Sequence, residues 1–138
     1  MTQLCPCKSG KPYKACCQPF HDGQKPPTPL VLMRSRFAAY ALGKVRYIVK
    51  TEHPDSVRRQ RDGAFHKDLK LFCQLTDFVD LQILGESTLA DDRATVTFHA
   101  TLVQQGKDAS FTECSVFERI NGRWLYRGPI EGKSWGQT

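Results

Sequence analysis

The chain has 138 residues, of which 40% are hydrophobic and 25% charged, the ordinary composition of a soluble protein with one main hydrophobic core. It has no apolar run of the roughly 18 residues that cross a bilayer, and it begins without the apolar stretch of a secretory signal, so we expect a cytoplasmic protein. The formal net charge of +6 is concentrated in residues 1–70, where fourteen Lys and Arg stand against five Asp and Glu. This excess favours an anionic partner, although solvated helix faces explain it more simply, because no aromatic residues are interleaved with the arginines.

Residues 1–22 have neither a helical nor a strand period, so something other than an apolar core must order them. They hold four of the six cysteines, Cys5, Cys7, Cys16 and Cys17, in the spacing C-x-C-x8-C-C. Four thiolates in one short loop can close a tetrahedron around Zn²⁺, and a filled shell leaves no position for a substrate. The spacing predicts one structural zinc ion per chain, with His21 as the alternative to one cysteine. A redox dithiol is the other interpretation, but C-x-x-C is absent and a bridge between adjacent cysteines would be strained.

Basic residues surround the predicted metal site: Lys8, Lys11 and Lys14, together with Tyr13. The lysines would partly offset the formal charge of about −2 of a zinc tetrathiolate, and Tyr13 would offer an exposed apolar contact with a polar tip. These four residues are the candidate partner-binding surface. Residues 23–28 have the composition of a linker, so we predict that residues 1–22, hereafter the knuckle, are energetically separable from a domain of residues 29–138.

Three helices are predicted after the linker. Thr28 and Pro29 have the pattern of an N-cap followed by proline at the first helical position, and apolar residues recur on one helix face until Gly43 stops the helix. A short second helix begins near Val45 and ends near residues 53–54. A third covers residues 62–75, after an arginine-rich stretch at 58–61 that we expect to be exposed.

After Asp77 the apolar period changes to two, which is typical of strands. We predict strands over residues 79–89, 94–102, 110–120 and 123–130, and the pair Asn121-Gly122 is a strong hairpin signal. Helices followed by four consecutive strands predict an α+β fold with an antiparallel meander over the helices. Cys73 and Cys114 fall in apolar segments and are predicted to be small buried residues.

Several motifs resemble known families. Residues 5–17, C-P-C-K-S-G-K-P-Y-K-A-C-C, resemble the SEC-C motif at the C-terminus of the translocation ATPase SecA and in small bacterial proteins, with Lys8 where the motif has glycine. That departure predicts strain in the turn. The stretches L-M-R-S-R-F-A-A-Y at 32–40 and G-R-W-L-Y at 122–126 resemble the uncharacterised YchJ family over nearly the whole chain. The resemblance implies a zinc knuckle followed by a cone-shaped domain like nuclear transport factor two, in which a curved sheet closes over helices.

A cone of this kind often encloses a pocket, and some relatives of the fold perform acid–base chemistry there. The alternation along the second predicted strand places His99 on a threonine-rich face. In the third predicted strand, Cys114 and Glu113 lie on opposite faces of the sheet. No Ser-His-Asp order, glycine-rich phosphate loop or carboxylate pair is recognisable, so fold analogy alone suggests an enzyme. The candidate pocket residues are Arg34, Tyr40, Asp80, His99 and Glu113.

Three functions are compatible with these features. We favour an interaction or adaptor module whose basic knuckle docks on a protein partner or an anionic surface, as the SEC-C resemblance implies. The alternative is a small-molecule binder or enzyme that uses the cone pocket. A deep cavity lined by Arg34, His99 and Glu113 would favour it, and a filled cone would argue against it. Direct nucleic-acid binding is a further alternative, which a single exposed aromatic residue, Tyr13, disfavours.

Overall fold

The computed structural model describes residues 3–56 and 64–130. The predicted arginine-rich stretch at 58–61 and the first two residues of the predicted third helix lie outside these ranges. None of the helices described is long and apolar enough to span a membrane. In chain order the elements are a 3₁₀ turn at Tyr13–Ala15, the helices α1 (Gln18–His21), α2 (Pro29–Leu42), α3 (Val45–Lys50) and α4 (Ala64–Leu75), and the strands β1 (Thr76–Ala90), β2 (Arg93–Gln104), β3 (Lys107–Asp108), β4 (Phe111–Ile120) and β5 (Arg123–Pro129).

Local signals set the ends of α2. The Thr28 hydroxyl accepts a hydrogen bond from the Val31 amide at 3.2 Å, and Pro29 occupies the first turn. Gly43 closes the helix in the left-handed conformation, at φ 72°. The predicted bounds of this helix are therefore confirmed. The structure differs from prediction in several elements: the 3₁₀ turn, α1 and β3 were not predicted, and β1 begins at Thr76, directly after α4, rather than at Val79.

The strands form an antiparallel meander in the order β1-β2-β4-β5, and the short β3 pairs with β2. Asn121 and Gly122 both have positive φ, 52° and 76°, as a two-residue hairpin turn requires. Register shifts interrupt the β1–β2 pairing in three places and the β4–β5 pairing between Val116 and Phe117. Such bulges bend strands, so the sheet curves around α2 and α4. The predicted α+β architecture is confirmed.

Helix α2 is buried on more than the single apolar face that its sequence predicts. The face of α2 that carries Phe37 packs on the inner face of the sheet, which is the face turned toward the helices. Ala39 packs against Tyr47 and Ile48 of α3, and Ala38 packs against the cysteines of the knuckle. Leu32, Ser35, Ala38 and Ala39 are each 0% exposed. The knuckle therefore covers a face of α2 that would otherwise lie in solvent.

Candidate metal centre and cavity

The four predicted ligands come together. The sulfur atoms of Cys5, Cys7, Cys16 and Cys17 all lie within 4.8 Å of one another. The distance from Cys16 Sγ to Cys7 Sγ is 3.6 Å, and that to Cys17 Sγ is 3.9 Å. A tetrahedron with metal–sulfur bonds of about 2.3 Å has sulfur–sulfur edges of about 3.8 Å. The donor set and its spacing therefore fit a four-coordinate, thiolate-binding metal ion.

A tight hairpin positions the first two ligands. Leu4 and Pro12 form an antiparallel bridge, and the Cys5 amide donates to the Lys11 carbonyl oxygen at 2.8 Å. The turn between them places Lys8 in the left-handed region, at φ 67°. Side chains other than glycine adopt this conformation at a cost, so the predicted strain at Lys8 is present.

The 3₁₀ turn brings the second pair of cysteines back to the first. Cys5, Cys7 and Cys17 are buried, whereas Cys16 is half-buried and lies 3.1 Å from the Ser9 hydroxyl. A hydrogen bond between the sulfurs of Cys7 and Cys17 lowers the pKa of Cys7 and raises that of Cys17. Only thiolates are ligands, so a divalent ion would displace the thiol protons of the cluster when it binds.

His21 lies at the junction between the knuckle and α2. Its Nε2–H donates to the Ser35 carbonyl oxygen at 2.8 Å, so Nδ1 accepts from the Tyr13 hydroxyl at 2.6 Å. Its ring stands edge-on to Tyr47, with centroids 4.7 Å apart. Burial lowers the pKa of His21, which favours this neutral form. Because both ring nitrogens are engaged, His21 anchors the knuckle and is not arranged to replace a cysteine ligand.

Two other predicted site residues also lie at this junction. Tyr13 is half-buried, with its hydroxyl directed at His21, so the prediction that it is an exposed aromatic contact is wrong. Arg34 donates from Nη1 to the Cys7 carbonyl oxygen at 3.0 Å, which places it on the knuckle side of α2 rather than in the pocket. Sequence periodicity cannot reveal these contacts, because they join segments that do not share an element. Lys8, Lys11 and Lys14 are exposed, as predicted.

The cone is open. A cavity of about 980 Å³ lies between α2, α4 and the inner face of the sheet. Tyr40 and Glu113 line it, as predicted. Much of its wall is aromatic and comes from Phe37, Phe65, Phe72, Phe78, Phe98 and Phe111.

His99 is not part of this cavity. In the β2–β4 register Phe98 is opposite Glu113, whereas His99 is opposite Thr112 and its Nδ1 lies 2.8 Å from the Thr112 hydroxyl. The prediction that His99 and Glu113 share a pocket is therefore wrong, because adjacent positions on a strand point to opposite faces. Asp80 is exposed on β1 and does not line the cavity either. Cys114 and Cys73 are half-buried, not fully buried as predicted.

Sequence reasoning missed the hydrogen-bond partners of Glu113 and a second buried polar group. Glu113 is 5% exposed, and its Oε2 accepts from the hydroxyls of Ser115 and Tyr126, both at 2.6 Å. In the second group, Arg36 lies 2.8 Å from Glu52, which is 0% exposed. The first could not be found from the alternation of β4 alone, because both faces of this strand carry polar and apolar residues. No local pattern identifies the second.

Comparison with known proteins agrees with this architecture. Residues 28–129 match a family model described as "YchJ, middle NTF2-like domain", and residues 1–19 match the SEC-C motif. A UPF0225 protein from Deinococcus radiodurans is 40% identical over 132 residues, which cover 92% of this chain and 88% of that protein. The UPF0225 protein YchJ of Shigella dysenteriae is 34% identical over 128 residues, covering 91% and 82%.

A solved structure extends the agreement to three dimensions. The solution structure of a SEC-C motif containing protein from Rhodopseudomonas palustris matches with a TM-score of 0.77 at 36% identity, covering 93% of this chain and 96% of that one. The cone-shaped fold like nuclear transport factor two, which the sequence resemblance implies, is thereby confirmed.

Proposed function

The chain belongs to the YchJ family, and we propose that it is a zinc-dependent interaction module whose knuckle docks on an acidic protein surface. One observation carries this proposal. A four-sulfur cluster of tetrahedral dimensions lies within the knuckle, where Lys8 and Lys11 of the hairpin and Lys14 of the 3₁₀ turn are exposed. The metal would fix the shape of the hairpin, and the lysines would meet the partner.

Zinc suits this donor set best. Soft thiolate ligands in a tetrahedron are typical of structural zinc, and four protein ligands fill its coordination shell. Such a site offers no open position for a substrate or a reactive water. The chemistry that the ion would supply is therefore structural: it would cross-link a segment that has few apolar side chains of its own.

The electrostatics favour recognition through the lysines. Three of the four thiolate sulfurs belong to buried residues, whereas the three lysines are exposed. A partner would therefore approach the ammonium groups more closely than the negative metal centre, and the nearer charges dominate at contact distance. Leu4, which forms the bridge with Pro12, is 62% exposed. Its side chain would supply the apolar contact that the sequence analysis assigned to Tyr13.

Metal analysis tests the first part of the proposal. We expect one zinc ion per chain after purification under reducing conditions without chelators. The double variant Cys7→Ser with Cys16→Ser should lose it, because two ligands no longer form thiolates. A reduced wild-type protein that holds no zinc would contradict the proposal.

Charge reversal tests the second part. Changing Lys8, Lys11 and Lys14 to glutamate should spare zinc binding, since none is a ligand, and should abolish salt-sensitive capture of partner proteins from a bacterial extract. The matched control reverses three exposed lysines elsewhere, Lys50, Lys67 and Lys70, and makes the same change in net charge. If the control loses the same partners, net charge rather than the knuckle governs association and docking through the knuckle is wrong.

A further inference from the structure

The cavity has the size and wall of a small-molecule site. Its volume of about 980 Å³ falls near the upper end of the range that such pockets occupy, which is about 300–1,000 Å³. Phe78 lies at the centre of its aromatic wall, with ring centroids 5.8 Å from Phe37, 5.8 Å from Phe72 and 6.0 Å from Tyr40. A flat apolar molecule of two or more fused rings would bury its faces against this wall.

Arg127 brings an unused hydrogen-bond donor to the lining. Its Nη1 is buried and has no hydrogen-bond partner among residues 3–56 and 64–130. A buried donor without an acceptor is unfavourable, and a ligand that supplies an oxygen atom would remove that cost. The Arg127 side chain as a whole is 35% exposed, so its guanidinium group has room to turn toward such a ligand.

The positive charge of Arg127 is only partly balanced by the residues that the structure describes. Its acidic neighbour is Glu118, whose Oε1 lies 3.7 Å from Arg127 Nε, a distance longer than a hydrogen bond. The same Oε1 lies 2.9 Å from His53 Nε2, and Glu118 Oε2 lies 3.4 Å from Arg93 Nε. Two arginines therefore share one carboxylate, and the excess positive charge beside the cavity attracts an anion.

The other charged groups of the described lining are engaged within the protein or lie in solvent. Arg36 donates from Nη2 to Glu52 at 2.8 Å, and its Nη1 donates to other groups of the protein. Glu113 Oε2 accepts from two hydroxyl groups, each at 2.6 Å. The remaining acidic residues of the lining are exposed, so water and salt screen their charges: Asp55, Asp68 and Asp108. Arg127 is thus the charged group best placed to meet a ligand.

We infer that the cavity binds an organic carboxylate with a flat apolar body, whose carboxylate group pairs with Arg127 while its body packs on the aromatic wall. A carboxylate accepts charge-assisted hydrogen bonds from a guanidinium group, and these are stronger than hydrogen bonds between neutral groups. The planar fork of the arginine also matches the two oxygen atoms of a carboxylate. This site does not depend on metal binding or docking by the knuckle.

Three probes of one shape and different charge test the inference on the wild-type holoprotein: 2-naphthoate, 2-naphthamide and the 2-naphthamidinium cation. The carboxylate should bind about tenfold more tightly than the amide, because a charge-assisted hydrogen bond exceeds a neutral one by about the 1.4 kcal/mol of a tenfold change, and the cation should bind most weakly. Binding should shift the NMR signals of the Arg127 side-chain Nε–H and of the Phe78 and Phe98 amides. Failure of 2-naphthoate to bind at millimolar concentration, equal or tighter binding of either other probe, or shifts confined to another surface would each overturn the inference.

A pair of variants assigns the charge preference to one residue. Arg127→Gln removes the charge, so it should reduce 2-naphthoate affinity about tenfold and leave 2-naphthamide affinity nearly unchanged. The matched control is Arg93→Gln, which makes the same change in net charge and removes a neighbour of the same Glu118 carboxylate. Arg93 does not line the cavity, so both affinities should change less than twofold. Equal losses in the two variants would overturn the role of Arg127. If Arg127→Gln does not fold, the ranking and the NMR shifts of the wild type decide the question.

Discussion

The knuckle and the sheet domain are stabilised by different means. The buried side chains of the knuckle are sulfur-bearing, namely Cys5, Cys7 and Cys17, and they form a cluster with Ala38. The sheet domain buries branched and aromatic side chains instead, among them Leu32, Val96 and Phe117. A cluster as small as the first cannot offset the entropy of ordering its chain, whereas the second has the area to do so. The proposed metal ion would therefore supply much of the free energy that orders the knuckle.

The two regions nevertheless share α2. On one side of this helix Arg34 donates to the Cys7 carbonyl oxygen and the Ser35 carbonyl oxygen accepts from His21, whereas Phe37 packs on the sheet from the other side. Separability of the two regions stays a prediction. The contacts favour coupling over the independence that a linker composition suggests, and three substitutions measure how far each region depends on the other.

The largest effect is expected inside the sheet domain, at Glu52. Glu52→Gln would leave the Arg36 guanidinium in a buried site without its carboxylate partner, which costs about 3 kcal/mol. We expect a loss of roughly 10 °C in thermal midpoint, measured by circular dichroism, with the zinc content of the folded protein unchanged. Glu118→Gln is the control, because Glu118 is 27% exposed, and it should cost less than about 1 kcal/mol. Loss of zinc from folded Glu52→Gln protein would contradict the division into two stabilising mechanisms.

The sequence predicts features whose signals are local. Thr28 with Gly43 at the ends of α2, the Asn121-Gly122 turn, and the spacing of the four cysteines each act within a few residues, and all are observed. In β4 both faces carry polar and apolar residues, so alternation could not decide whether Glu113 or Cys114 points inward. Pairing between strands decides it, by placing Glu113 opposite Phe98. The burial of α2 was similarly unpredictable, because a segment distant in sequence covers its second face.

A smaller effect is expected at the junction. His21→Ala removes a hydrogen bond to the Ser35 carbonyl, another to the Tyr13 hydroxyl and a ring contact, which together are worth about 2 kcal/mol. If the regions are coupled, the midpoint of the sheet domain falls by several degrees. If the two regions are separable, the midpoint of the sheet domain stays unchanged and only the zinc affinity decreases.

The matched control for the junction is His99→Ala. His99 is hydrogen-bonded to Thr112 on the face of the sheet away from the cavity and makes no contact with the knuckle in the described ranges. Its substitution should cost about 1 kcal/mol and leave zinc affinity as it is. Chelator competition for zinc, run beside thermal unfolding, separates the two outcomes for both variants.

The smallest effect is expected within the knuckle, and it is stabilising. Lys8 adopts φ 67°, where a side chain costs about 1 kcal/mol relative to glycine, so Lys8→Gly should relieve strain and raise zinc affinity several-fold in chelator competition. Lys11→Gly is the control with the same loss of charge. Lys11 does not have positive φ, so glycine there only adds freedom to the unfolded chain and should lower zinc affinity slightly. A rise in affinity in both variants would mean that lysine charge, not backbone strain, limits zinc binding. The midpoint of the sheet domain should change less in either variant than in His21→Ala, because neither lysine side chain contributes to the contacts described between the knuckle and α2.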